Sequence, residues 1–233
     1  MTVLANARVV TPDRVLEPGW VRVEDGRIAA VGAGDPGAVP GGHALAMVDL
    51  EGAWVLPGFV DMHVHGGGGA AYTSGDAAEA RAAAAFHRSH GTTTTVASLV
   101  TAGVDDLERA VRALAPLVRA GVLAGLHLEG PYLSPRHVGA HDPALLRTPS
   151  THELGRLLDA ADGTVRMVTV APELPGGLDL VRQPRSATRT PPTRRAVRPS
   201  TPAPASRRTS TTRCGSSTIA SPVPPRPRSR TTA

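Results

Sequence analysis

Between residues 54 and 170 short apolar or β-branched runs alternate with helical patterns, and few folds accept that alternation. The runs are residues 55–64, 92–100, 122–128 and 165–170. Helices are predicted between them. One covers residues 77–90, with Ser74 or Asp76 as N-cap and Gly91 at its C-terminal end. A second covers 105–120, where Leu107, Val111, Leu114 and Val118 share a face, although Pro116 weakens the last turns. The third opens at the capping-box pattern Ser150-Thr151-His152-Glu153 and runs through Ala161. Strands separated by helices run parallel, because a parallel pair needs a long crossover. A doubly wound sheet and part of a (β/α)₈ TIM-type barrel both satisfy this. A closed barrel needs eight strands, and this stretch supplies about the first four.

The flanks differ from this middle. Residues 3–10, 20–23 and 28–31 are β-branched runs punctuated by Pro12-Asp13, Pro18-Gly19 and Asp25-Gly26. Asp-Gly between apolar runs is a strong hairpin signal. Residues 1–53 therefore read as a small β domain, and 54–183 as an α/β domain. The last fifty residues are of another kind. Residues 1–183 hold all 20 acidic residues and 14 of the 25 arginines. Residues 184–233 hold the other 11 arginines, 10 prolines and 18 serines and threonines, with no acid and no leucine. The net charge of +5 thus belongs to the tail. Such a segment cannot bury enough apolar surface to offset its ordering entropy, so disorder is expected there.

Composition excludes several classes of function. The single Cys214 rules out a disulfide framework and a cysteine-based zinc site. No apolar run approaches the ~20 residues of a membrane span. The first ten residues lack the pattern of a signal peptide, so a cytoplasmic protein without a membrane partner is expected. Arginines alone could bind nucleic acid weakly and salt-sensitively. However, no Phe, Tyr or Trp follows Tyr132, leaving the tail nothing on which bases could stack. No nucleic-acid partner is expected.

Two motifs carry chemistry. Asp61-Met62-His63-Val64-His65-Gly66 closes the first run of the middle domain. Period-two alternation puts His63 and His65 on one face, where two imidazoles can hold one divalent ion. Gly66 to Gly69 would let backbone approach a ligand. Preceded by Leu56-Pro57-Gly58-Phe59-Val60, the motif resembles the strand end of the amidohydrolase superfamily. The second motif is Gly125-Leu126-His127-Leu128-Glu129-Gly130-Pro131-Tyr132, followed by Gly139-Ala140-His141. Glu129 ends an apolar strand, where a carboxylate could join His63 and His65. His127 alternates with Glu129, but reads better as a packed strand residue. His87 and His90 suit the C-terminal end of a helix. His43, His137 and His152 read as loop or surface residues.

The second motif is similar to that of the N-acetylglucosamine-6-phosphate deacetylases. That resemblance implies a (β/α)₈ barrel with a small β domain, assembled as a homodimer. It implies a divalent metal, zinc first, held by His63, His65 and Glu129, with Ala140 and His141 contacting an amino-sugar phosphate. The reaction would be hydrolysis of N-acetylglucosamine 6-phosphate to acetate and glucosamine 6-phosphate. The family's general acid/base aspartate would lie beyond residue 233. A rival amidohydrolase acting on a cyclic amide is disfavoured, since such enzymes typically use a carboxylated lysine and this chain has no lysine. The resemblance stops near residue 183. Read one base earlier, residues 185–193 can encode LGHSDATY and residues 206–215 VATHLYNAMR, the metal-histidine motifs that the family presents next. The tail is therefore expected to be out of frame, and the chain as it stands inactive.

Overall fold

A computed structural model describes residues 1–37 and 46–182. The expectations for the tail and for His43 fall outside these residues. Five strands form the first sheet: β1 (Thr2–Val10), β2 (Val15–Glu24), β3 (Arg27–Ala33), β4 (Ala46–Asp49) and β5 (Trp54–Val55). The order is β3-β2-β1-β4, with β5 also on β1. Asp25 and Gly26 turn β2 into β3 with φ of 48° and 71°, the doubly left-handed backbone that a type I′ hairpin requires. Ala7, Val9, Leu16 and Val21 form this sheet's small core.

The anticipated single strand over residues 55–64 is two strands. β5 pairs with β1, whereas β6 (Phe59–Val64) joins the second sheet. The break falls at Leu56-Pro57-Gly58, where proline removes a ladder donor. A two-residue ribbon, β7 (Gly66–Gly67) with β8 (Ala70–Ala71), follows.

The second sheet is wholly parallel, in the order β11-β10-β9-β6, with β9 at Thr92–Val100, β10 at Gly125–Glu129 and β11 at Val165–Thr169. Between them run α1 (Ala77–Ser89), α2 (Val104–Arg119) and α3 (Thr151–Ala160); α4 (Gly177–Arg182) follows β11. Of the two candidate caps of α1, Asp76 does the work: its carboxylate accepts from the Ala78 and Glu79 N–H groups at 2.8 Å. The α3 box is half closed. Ser150 accepts the Glu153 N–H, but the Glu153 carboxylate turns to Arg147 and Tyr132. β10 begins three residues later than its apolar run suggests, because the N–H groups of Val122 and Leu123 still bond the Leu117 carbonyl of α2. Among the described residues no helix is long and apolar enough to cross a membrane.

Strand alternation splits the middle of this sheet. Ala97, Leu99, Leu126 and Leu128 join Ala80, Ala83, Leu107, Val111, Leu114, Leu154 and Leu157 in one core with the helices. Ser98 and His127, at the intervening positions, are equally buried but hydrogen-bond to each other. The strand at the end of the sheet, β6, leaves Phe59, Val60 and Met62 about 60% exposed (61%, 62% and 60%).

Tyr72 is fully buried, yet its hydroxyl has no hydrogen-bond partner among the described residues. Burial, and then the charge of Asp61, pushes its pKa up from 10.0 to about 12. A raised native pKa stabilises below the unfolded value and is lost as pH climbs through the native one. Stability should therefore fall between pH 10 and about 12. Tyr72→Phe is expected to remove that component and to stabilise by about 1 kcal/mol at neutral pH, since an unsatisfied buried hydroxyl is itself a cost of ~1–3 kcal/mol. Denaturant midpoints at pH 7 and pH 11 would measure both effects; a lower midpoint for the variant at pH 7 would contradict the structure.

Candidate metal centre

Parallel strands expose their C-terminal ends on one edge of the sheet, and the chemistry gathers there. β6 and the residue after it deliver His63 and His65, and β10 delivers Glu129. The Glu129 Oε2 lies 3.2 Å from His63 Nε2 and 3.0 Å from His65 Nε2. One ligand atom from each residue falls within 4.8 Å of the others.

Hydrogen bonding fixes what these atoms offer. His65 Nδ1 lies 3.1 Å from the Ser98 carbonyl. A carbonyl only accepts, so Nδ1 carries the proton and, in the neutral ring, a lone pair remains on Nε2. That lone pair faces a carboxylate oxygen at 3.0 Å. Two electron-rich atoms so close call for a proton or a cation between them. Burial works against the charge on Glu129, but the hydrogen bond to His63 and the charges of His63, His65 and His141 outweigh it and lower its pKa. Two imidazole nitrogens and a carboxylate suit a divalent ion with an open coordination position.

His141 joins the cluster differently. Its Nδ1 accepts the Thr101 N–H at 3.3 Å, so in the neutral ring Nε2 carries the proton. That Nε2 lies 3.6 Å from Glu129 Oε2. The ring therefore presents a donor where His65 presents a lone pair. Thr101 also donates from Oγ1 to the Glu129 carbonyl at 3.2 Å, tying the end of β9 to the end of β10. Ala140 is exposed beside His141.

His127 is packed within the sheet, as expected, but it also adjoins the centre. Its ring meets that of His63 edge-on, 4.8 Å between centroids. Burial, followed by the charge of His63, pushes its pKa down to about 4, so it is neutral at pH 7. His90 caps α1 as anticipated, with Nδ1 on the Phe86 carbonyl at 2.8 Å. His87 does not cap: its Nε2 donates to the Gly66 carbonyl at 2.9 Å. Two glycines of the run are also required by packing. A Cβ at Gly67 would lie 2.6 Å from His87 Nε2, and one at Gly68 2.8 Å from Phe86. The close approach served by these glycines is to α1.

Ser98, Thr101 and Thr169 were not singled out from the sequence. A hydroxyl between apolar neighbours, as in Ala97-Ser98-Leu99, was the available signal. A separate cleft of about 490 Å³, lined by Val104, Asp106, Arg109, Arg147, Glu153 and Arg156 among others, shares no residue with the cluster. Each of its arginines is already paired with a carboxylate.

The sequence profile of the amidohydrolase family matches residues 54–180, more than half of the chain. The chain belongs to the amidohydrolase family. Among its curated relatives, the N-acetylgalactosamine-6-phosphate deacetylase of Escherichia coli O157:H7 is 31% identical over 185 residues, and the N-acetylglucosamine-6-phosphate deacetylase of Bacillus subtilis (strain 168) is 27% identical over 186. Each alignment covers 77% of this chain and 46% of the relative, so this amidohydrolase spans about half the length of the curated relatives it matches. The crystal structure of N-acetyl-D-glucosamine-6-phosphate deacetylase from Mycobacterium smegmatis superposes with a TM-score of 0.70 at 49% identity, covering 78% of this chain and 46% of that one. The enzyme from Thermotoga maritima gives 0.63 at 29% identity, covering 78% and 45%. Amidohydrolases of this kind are metal-dependent hydrolases, and the histidine–glutamate cluster is where this chain could hold the ion.

Proposed function

We propose that the site belongs to an N-acetylglucosamine-6-phosphate deacetylase. The observation that carries this reading is the convergence of His141 with His63 and His65 on the Glu129 carboxylate, produced by the two motifs most characteristic of those enzymes. In this reading residues 54–183 are the N-terminal half of a (β/α)₈ barrel, the parallel sheet supplying its first four strands, and residues 1–53 form the small β domain. His63, His65 and Glu129 hold one divalent ion, zinc first. When bound, the ion polarises the acetamido oxygen and lowers the pKa of a water molecule.

The chain's own residues do the rest. His65, tethered through Nδ1, keeps its Nε2 lone pair aimed at the ion. Glu129 supplies the anionic oxygen. His141 offers its Nε2–H to an oxygen of the sugar, and Ala140 lies against the same substrate. The amide C–N bond breaks as the water oxygen joins the carbonyl carbon. The proton that the water gives up would reach the leaving amine through the family's general acid/base aspartate, which this reading puts beyond residue 233, so the present chain lacks it. The partner is a small amino-sugar phosphate, bound in a homodimer of a cytoplasmic enzyme.

A second reading, deacetylation of the galactosamine epimer, is favoured by the 31% identical Escherichia coli relative. A cyclic amide is the remaining alternative. Acetate release from both sugar phosphates, with and without chelator, separates these possibilities. The assay requires two proteins: the present chain and the product of its gene with the frame shifted by one base near codon 183. The shifted product is expected to turn over N-acetylglucosamine 6-phosphate until chelator is added, while the present chain does not. A folded, metal-loaded product that ignores both sugars but opens a cyclic amide would overturn the assignment.

A further inference from the structure

We infer that His127 is a positioning residue for the metal centre, a pinned wedge that sets the plane of the His63 ring. The inference rests on the reading above for its purpose, but on geometry alone for its substance.

The two histidine ligands are held unequally. His65 has the anchor usual for a metal-binding imidazole, an Nδ1–H bonded to a carbonyl, which fixes both tautomer and ring direction. His63 has no such anchor among the described residues. Its ring nitrogens reach Glu129 alone, and its backbone N–H bonds the Asp61 carboxylate. Its side chain is 48% exposed, so solvent offers no resistance to rotation on that side. What bears on the ring is aromatic. His127 meets it at 90° and 4.8 Å, and His65 at 73° and 5.2 Å. Edge-to-face contact at this range is a favoured arrangement.

A ring can orient another only if it is itself fixed. His127 is fully buried on the central strand β10, and both its nitrogens are bonded. Nδ1 shares a hydrogen bond of 2.9 Å with the Ser98 hydroxyl on β9. Nε2 shares one of 2.8 Å with the Thr169 hydroxyl on β11. Rotation in either direction breaks one of them. Ser98 therefore serves both ligands, its carbonyl holding His65 and its hydroxyl steadying the wedge behind His63. Three strands, β9, β10 and β11, thus impose their geometry on ligands carried by and just beyond β6, at one end of the sheet. With both nitrogens occupied, His127 is not itself a ligand.

The rival explanation is that His127 merely fills space, in which case altering it would affect stability without singling out His63. Two variants of the full chain separate the two. Ser98→Ala with Thr169→Val keeps the ring but removes both pins, and His127→Leu removes the ring. Should either fail to fold, Thr169→Val alone changes an exposed residue and removes one pin. Two readouts are needed: histidine ring NMR signals of the metal-free chain, and cobalt(II) titration followed by visible absorption. In the folded variants His63 ring signals are expected to move to unstructured values while His65 signals hold. Cobalt affinity should fall ~10–100-fold, the usual effect of losing an outer-shell partner. Unchanged His63 signals in a folded variant would overturn the inference, whatever the cobalt result. If the parent chain takes up no cobalt while His63 still responds, the positioning stands and the titration is repeated on the frame-shifted product, where absence of cobalt uptake would overturn the metal-centre reading.

Discussion

Glu129→Gln, introduced into the frame-shifted enzyme, should cost more activity than any other single change at the centre. Glutamine matches glutamate in volume and has no charge. It would place a neutral amide oxygen, or a pair of N–H donors, where one carboxylate oxygen now faces His63 at 3.2 Å, His65 at 3.0 Å and His141 at 3.6 Å. The loss in kcat/KM should exceed the ~10–100-fold typical of an outer-shell change, and bound metal should fall with it. Folding should be nearly untouched. The backbone carbonyl of residue 129 keeps its bond from Thr101, and no apolar volume is removed. The change in stability of the metal-free protein should stay below the ~2–5 kcal/mol of a large-to-small core substitution, since no cavity is opened. Metal analysis, acetate release and a denaturation curve on one preparation test all three parts. Full metal occupancy with wild-type turnover would remove Glu129 from the ligand set.

Leu114→Ala should do the opposite. Leu114 is fully buried in α2, within the core that joins helices to sheet. Leucine-to-alanine changes at such positions cost ~2–5 kcal/mol, against a total stability of ~5–15 kcal/mol for a typical domain. The variant should therefore unfold at far lower denaturant, while its folded fraction keeps the same histidine signals at the metal centre. Leu178→Ala is the control. That leucine is 52% exposed on α4, and its loss should shift stability by no more than about 0.5 kcal/mol. Equal midpoints for the two variants would mean that the core has been assigned to the wrong face of α2.

Much of this arrangement was legible in the sequence, and the gaps have physical causes. β9 lies where its β-branched run placed it. The three longer helices lie within a residue or two of their caps and periodic faces, because those signals are local. β4, four residues long, lacks an alternation long enough to read. The six-residue α4 is too short for a helical period. The break between β5 and β6 was written in Pro57-Gly58 but masked by the apolar residues on either side, which serve two different sheets. At the site the motifs pointed to His63, His65 and Glu129 at or just beyond strand ends and to His141 further on, and the glycines around them are conspicuous. The roles of Ser98, Thr101, Thr169 and His127 arise only when neighbouring strands come into register. Ser98 beside His127, and His127 beside Thr169, are pairings between residues 29 and 42 positions apart, and a linear pattern does not announce them.

The alternation along β9 and β10 also bears on how such a protein can change over time. Leu126 and Leu128 answer to the helices, whereas His127 and Glu129 answer to the ligand cluster, yet they are consecutive residues of one strand. Adjacent residues thus meet unrelated demands, one for volume and the other for polarity and direction. One aliphatic side chain can be traded for another in the oily positions without disturbing the chemistry about 3.3 Å of backbone away, the rise of one residue along a parallel strand. The polar positions can equally be retuned for a new substrate without renegotiating the fold. The pleat of a single strand keeps two sets of demands apart.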